Sequence, residues 1–130
     1  MSTLKVTNIQ NRSGGSTSSV DEIYSGRAKA WVNFDGAFGT SPFTIANGGI
    51  RASFNVSSIT DNGTGDYTLN FTNVMPDANY CLVGTAGNGN TNNRFVSQVR
   101  SLEVGALRIG TIDGANSVIN TGFVFIAVFR

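Results

Sequence analysis

The side chains that could do chemistry here are few: eight carboxylates, nine lysines and arginines, one cysteine and no histidine. Nucleophilic catalysis at Ser, Cys or Thr needs an adjacent base, and the usual base is missing with histidine. Lys5 and Lys29 leave a Ser–Lys dyad open in principle, with no further pattern to support one. Cys81 falls inside a strand-like stretch between Tyr80 and Leu82, where a lone cysteine is expected to act as a small buried hydrophobe. Among the carboxylates, Asp61 and Asp66 flank one turn and are the pair best placed to approach each other. A glycosidase would need two such groups about 5–9 Å apart with one pKa raised. Aspartate is also an ordinary turn residue, and that is the expected role of both. The same stretch, Asp61-Asn62-Gly63-Thr64-Gly65-Asp66, invites a calcium loop but lacks alternating carboxylates and a terminal bidentate glutamate. No metal or other cofactor is therefore expected, and no catalytic residue.

Gly87-Asn88-Gly89 is a bare Gly-x-Gly with no helix or lysine after it, so it reads as a loop tip rather than a phosphate cradle. Tyr24, Trp31, Tyr67 and Tyr80 could stack on sugars, but three of them sit in strand patterns and are expected in the core or at subunit contacts. The four glycosylation-type sequons, at Asn11, Asn55, Asn62 and Asn70, are chance matches in a chain rich in Asn, Ser and Thr.

The elements that must position these residues are mostly strands. Residues 3–9 alternate, with Leu4 and Val6 on one side, and predict a short strand. A Gly/Ser-rich segment over 11–19 follows and reads as a flexible linker. Ser19 with Glu22 forms a capping box for at most two turns of helix over 20–25, stopped by Gly26. From Ala28 the period is two. Ala28, Ala30, Val32 and Phe34 share one face, and Ile50, Ala52, Phe54 and Val56 share another. Asn62-Gly63 supplies a type I′ hairpin turn, and Tyr67, Leu69 and Phe71 return on the buried face. Further strands are predicted over Tyr80–Ala86, Phe95–Val104, Leu107–Ile112 and Ser117–Phe129, the last apolar on both sides. The fold class is all-β: a compact sandwich or barrel of about seven to nine antiparallel strands over 28–130, preceded by an extended N-terminal arm over 1–27.

Composition narrows the partners. The 130 residues are 40% apolar but only 13% charged, with 16 glycines and a net charge of +1. That excludes a basic nucleic-acid binder, a disulfide scaffold and a zinc module. The first residues contain no apolar stretch of a signal peptide, and the apolar run Phe123–Phe129 is too short to cross a bilayer as a helix. Synthesis in a cytoplasm without membrane insertion is expected. A surface with few charges and no histidine suits folding that is insensitive to salt and pH.

Three stretches carry a resemblance: Ala28–Gly36 (AKAWVNFDG), Ile50–Tyr67 (IRASFNVSSITDNGTGDY) and Met75–Tyr80 (MPDANY). Together with the opening Met1–Val6 and its Gly/Ser segment, they resemble a small β-domain of tail-fibre-like and other virion appendage proteins of tailed phages, marine and cyanobacterial ones above all. The likeness covers most of residues 1–86 and, more loosely, the rest; residues 1–27 stand where such proteins often have a long shaft. The resemblance implies a homotrimer on a virion, made in the cytoplasm of a host bacterium and not an enzyme. Its partners would be itself, other virion proteins and a host-surface glycan or protein. On this reading Leu4, Val6 and Ile9 form a docking arm, and Phe123, Phe125 and Val128 form the oligomer interface. Asn62, Gly63, Asn88, Asn90 and Asn92 sit in exposed contact loops. The alternative within the same resemblance is a decoration protein of the phage head. Outside it stand a free carbohydrate-binding module and a glycan depolymerase.

Overall fold

The computed structural model describes residues 2–89 and 94–130. Ten strands and one helix are present among them: β1 (Asn8–Gln10), β2 (Thr17–Ser19), α1 (Val20–Gly26), β3 (Ala30–Phe34), β4 (Ile50–Phe54), β5 (Val56–Gly63), β6 (Asp66–Phe71), β7 (Cys81–Gly87), β8 (Arg94–Leu102), β9 (Ala106–Asp113) and β10 (Phe123–Phe129). The last eight strands form two four-stranded antiparallel sheets, ordered β4-β3-β10-β7 and β5-β6-β9-β8. Neither sheet closes into a barrel, so the domain is a sandwich.

Period-two alternation explains the core. Ala30, Val32 and Phe34 of β3 and Val124, Ile126 and Val128 of β10 point inward from the first sheet. They meet Ile59, Tyr67, Leu69, Leu107 and Ile109 of the second in a single buried cluster. Phe34 and Tyr67 pack edge to face across the layers with ring centroids 5.2 Å apart. The connection between β3 and β4 adds Phe43, which is fully buried and exchanges two backbone hydrogen bonds with Ile59 at 2.8 and 2.9 Å. That bridge joins a first-sheet loop to the edge strand β5 of the second sheet.

The run from Ile50 to Val56 departs from a continuous strand in two places. A bulge opposite Asn33 and Phe34 leaves Ile50 in the core but turns Ala52 and Phe54 to the outer face. Asn55 then adopts φ 57°, a left-handed conformation that asparagine tolerates, and the chain crosses from the first sheet to the second. Its amide nitrogen donates to the carbonyls of Lys29 and Asn73 at 3.1 and 3.0 Å, and its Oδ1 accepts from Asn73 N–H at 2.7 Å. This one side chain therefore holds three strands' ends together at the corner.

The β5–β6 hairpin forms, but its turn lies two residues beyond Asn62-Gly63. Gly63 pairs with Asp66, so Thr64 and Gly65 make the connection. Tertiary contact decides this. Gly65, at φ 63°, lies so close to the 119–121 segment that a Cβ would sit 2.6 Å from Thr111 O and 2.7 Å from Ile119 N. Its own N–H donates to Asn120 Oδ1 at 2.7 Å.

The arm also differs from expectation. The strand occupies 8–10 rather than 3–9, and it pairs with 17–19, inside the segment read as a linker. Asn11 closes that hairpin, its Oδ1 accepting from Gly15 N–H at 3.0 Å and Ser16 N–H at 3.3 Å. The capping box is present: Ser19 Oγ accepts from Glu22 N–H at 3.1 Å and Glu22 Oε2 accepts from Ser19 N–H at 2.8 Å. The final strand spans 123–129 only, with 117–122 contributing one bridge, Val118 to Ile112.

Replacing Asn55 with Ala removes three hydrogen bonds and leaves a Cβ residue without local compensation at positive φ. We expect a loss of about 2–3 kcal/mol, read as a lower urea midpoint with an unchanged slope. Asn55→Gly, which relieves the backbone but not the lost bonds, should fall between the two.

Candidate functional site

The two outer faces of the sandwich are chemically unlike. On the second sheet the outward side chains of β5 and β6 are polar and bonded to one another, and apolar groups enter only toward the β8 edge, where Phe95 is paired with Ile112. Asn70 Nδ2 donates to Ser58 Oγ at 3.1 Å and Thr60 Oγ1 at 3.0 Å, and Asn62 Nδ2 donates to Thr68 Oγ1 at 2.9 Å. Asp66 is buried there under two arginines. Arg108 grips it with Nε at 2.9 Å and an Nη at 2.8 Å, and Arg100 adds a contact at 2.8 Å. Gly110 makes room, because a Cβ on it would come within 3.0 Å of Arg100 Nε. The Arg108 hydrogen bonds hold the Asp66 carboxyl below its usual pKa, with the charge of Arg100 acting in the same direction against burial.

The first sheet turns aromatic and aliphatic groups outward. Register places Phe54, Trp31, Ala127 and Val83 in one row across its four strands, and Ala52, Asn33, Phe125 and Thr85 in the next. Phe123 continues beyond them, its ring parallel to that of Phe125 with centroids 6.4 Å apart. Trp31, Phe54, Val83, Phe123 and Phe125 are between 38% and 59% exposed. A shallow groove of about 520 Å³ runs between Trp31, Val83 and Phe125. Charge enters only at the rim, where Arg51 lies 4.7 Å from the Phe123 ring centre and pairs with Asp35 at 3.2 Å.

Of the residues expected at an oligomer interface, Phe123 and Phe125 lie on this face. Val128 does not: it is one residue out of phase, points into the core and is 1% exposed. Trp31, Phe54 and Val83 complete the surface. Trp31 carried a signal, since an aromatic alternates with the inward Ala30, Val32 and Phe34. Phe54 was assigned to the wrong face because the bulge is invisible in the period.

The expected docking residues Leu4, Val6 and Ile9 are all exposed, with Ile9 in β1 and the other two ahead of it. Asn62 and Gly63 are exposed beside the β5–β6 turn, and Asn88 is half-buried just past β7. Asn90 and Asn92 lie outside the described residues. The two loops share one end of the sandwich: Gly65 N–H donates to Asn120 Oδ1, and the Thr121 hydroxyl donates to Gly87 O. The arm enters at the other end, where Lys29 N–H donates to Val128 O at 2.7 Å.

The groups considered for catalysis are otherwise engaged. Asp66 is held by arginines, and Asp61 Oδ1 accepts from Gly63 N–H at 2.9 Å. Tyr67 is fully buried, its hydroxyl 2.7 Å from Gly36 O and 2.9 Å from Asn120 Oδ1, and burial pushes its pKa up to about 12. Cys81 is exposed, not buried, because it starts β7 on the outward side opposite Phe129. Among the described residues, no three of Cys, Asp and Glu come together as a metal-ligand set, and no helix is long and apolar enough to cross a membrane.

The Asp66 cluster has a pH signature. Its folded pKa lies below the unfolded one, so its stabilisation is complete above the ordinary carboxylate value and is lost as pH falls through the folded value. Asp66→Asn should cost about 1.5–3 kcal/mol at pH 7 and flatten the acid limb of stability below about pH 4. Urea unfolding at stepped pH measures both; an acid limb as steep as wild type would assign the loss to other carboxylates.

Comparison with known proteins adds no relative: no protein-family model, curated protein or solved structure matches the chain.

Proposed function

We propose that the protein is a structural component of a phage virion, a short homotrimeric appendage whose copies meet on the aromatic face of the first sheet. The observation that carries the assembly is that face: Trp31, Phe54, Val83, Phe123 and Phe125 are exposed on it and charge enters only at its rim, while the centre of the opposite outer face is occupied by Asp66 with its arginines and by the bonded Asn70, Ser58 and Thr60. Monomeric proteins rarely expose apolar patches of this kind. A neutral face can also meet its own copy without setting like charges together. Full burial of one phenylalanine contributes about 1.5–3 kcal/mol, whereas bringing chains together costs about 4 kcal/mol or more. No single aromatic suffices, and the face acts as a set.

The virion assignment rests on the resemblance of residues 28–36, 50–67 and 75–80 to phage appendage domains. The layout supports it, because arm and loops leave from opposite ends of the sandwich. Leu4, Val6 and Ile9 can dock on a virion protein while Asn62, Gly63 and Asn88 point toward a host-surface glycan or protein.

Phe125→Asp tests the assembly. The side chain is exposed in one protomer, so the fold should survive while the oligomer dissociates. Light scattering should give three times 13.7 kDa for the parent and 13.7 kDa for the variant, with matching circular dichroism. A parent at 13.7 kDa would overturn the trimer.

Copy number per particle tests the location. Quantitative proteomics of purified virions should find far fewer copies than of the major capsid protein. Simple proportion to the capsid protein would instead make this a head decoration, and absence would remove the virion reading.

A further inference from the structure

An asparagine followed by glycine carries its own reaction partner, because the next backbone nitrogen is not shielded by a Cβ and can attack the side-chain amide carbon. Three such pairs occur here: Asn47-Gly48, Asn62-Gly63 and Asn88-Gly89. The structure separates them. Asn47 is fixed at both ends of its amide. Oδ1 accepts from Thr44 N–H at 2.8 Å and Gly49 N–H at 3.1 Å, and Nδ2 donates to Pro42 O at 2.9 Å. Gly49 beside it is packed so closely that a Cβ there would sit 2.6 Å from Phe43 Cβ. Asn88 is half-buried and engaged.

Asn62 is held far less. It is the extra residue of a bulge: Asp61 pairs with Tyr67 and Gly63 with Asp66, so Asn62 has no residue opposite it across the hairpin. It is exposed, and a Cβ placed on Gly63 would meet nothing within 4 Å. The space needed by a closing ring and an incoming water is therefore open. Its amide is tied through Nδ2, to Thr68 Oγ1 at 2.9 Å and, at the limit of a hydrogen bond, to Asp66 Oδ1 at 3.5 Å. The attacking nitrogen already has a base beside it, since Gly63 N–H donates to Asp61 Oδ1 at 2.9 Å.

We infer that Asn62 is a self-modification site, converted to aspartate and isoaspartate by attack of Gly63 N on its side-chain carbon with Asp61 as the base. Asp61 takes the Gly63 proton as the N–C bond forms. The Cγ–Nδ2 bond breaks, the nitrogen leaves as ammonia with that proton, and a cyclic imide joins residues 62 and 63. Water then opens the ring at either carbonyl. One water enters and one ammonia leaves, and nothing is oxidised or reduced. The product changes the hairpin. Arg108 foremost, and the Asn62 amide in smaller part, hold the Asp66 carboxyl below its usual pKa. A carboxylate at position 62 removes that donor and sets a like charge against Asp66. Opening at the other carbonyl adds a carbon to the backbone at the bulge. Either product puts a new negative charge on the exposed end of the sandwich in every copy, whether or not the copies assemble.

Ageing of the folded full chain in warm, mildly alkaline buffer tests this, with peptide mapping by mass spectrometry as the readout. Position 62 should exchange NH2 for OH well ahead of Asn47 and Asn88, and isoaspartyl methylation should label the same peptide. In urea, where the bulge and the packing around Asn47 are gone, the three sites should react at similar rates. Asp61→Asn keeps an acceptor for Gly63 N–H but not the base, and should slow the reaction at position 62 by at least about tenfold. Asn62→Gln, whose extra methylene forces a larger ring, should stay unmodified with circular dichroism matching the parent. Asn47 or Asn88 reacting first in the folded chain would overturn the site, and an unchanged rate in folded Asp61→Asn would overturn the role of Asp61.

Discussion

A β-strand sends successive side chains to opposite faces, so a strand that is apolar at every position needs an apolar neighbour on each side. The run Phe123–Phe129 imposes that requirement on this fold. As β10 it lies inside the first sheet, between β3 and β7. Val124, Ile126 and Val128 are covered by the second sheet, but Phe123 and Phe125 are left at the surface with Trp31 and Phe54 beside them. One chain meets half of the demand. The other half stays at the surface, and it is what the proposed assembly would cover.

The polar residues settle which half is met internally. Asn55 turns the chain from one sheet to the other with its side-chain amide, which frees both sheets to stack. Gly65 and Asn120 lock the far end of the sandwich. On the outer face of the second sheet, Asp66 with its two arginines and the Asn70–Ser58–Thr60 bonds pair the polar groups with one another. Over β5 and β6 such a face offers little apolar area to a partner, and Phe95 beside Ile112 adds some only at the β8 edge. In the proposed assembly, this asymmetry would direct association to the first sheet without any charge pattern on that sheet itself.

Much of this was legible in the residues, and what was not has a physical cause. The inward positions Val32, Phe34, Tyr67, Leu69 and Phe71 follow from period two, and α1 follows from Ser19 and Glu22. Phe54 was not legible. A single-residue bulge reverses its face, and nothing in the alternation of Ile50, Ala52, Phe54 and Val56 marks where that bulge falls. The turn of the β5–β6 hairpin moved because Gly65 docks against a segment about fifty residues away in the chain, a contact that outweighs the local preference of Asn62-Gly63. Val128 was placed at the interface because a strand apolar on both sides does not say which phase faces outward. Only the register with Ala30 does.

The positions of the two ends then connect assembly to function. The arm joins β3 beside Val128, while the Thr64–Gly65 turn and Gly87 sit against residues 120–121 at the opposite end. β5, eight residues long, sets the distance between those ends at about 23 Å. Copies associated in parallel on the aromatic face would point all their loops one way and all their arms the other. A single weak loop contact would then be repeated by each copy at a fixed spacing, and its avidity would rise without any new residue. In the proposed assembly, association on the sheet face is therefore the step that would turn the exposed residues Asn62 and Gly63, repeated in each copy, into a usable contact surface.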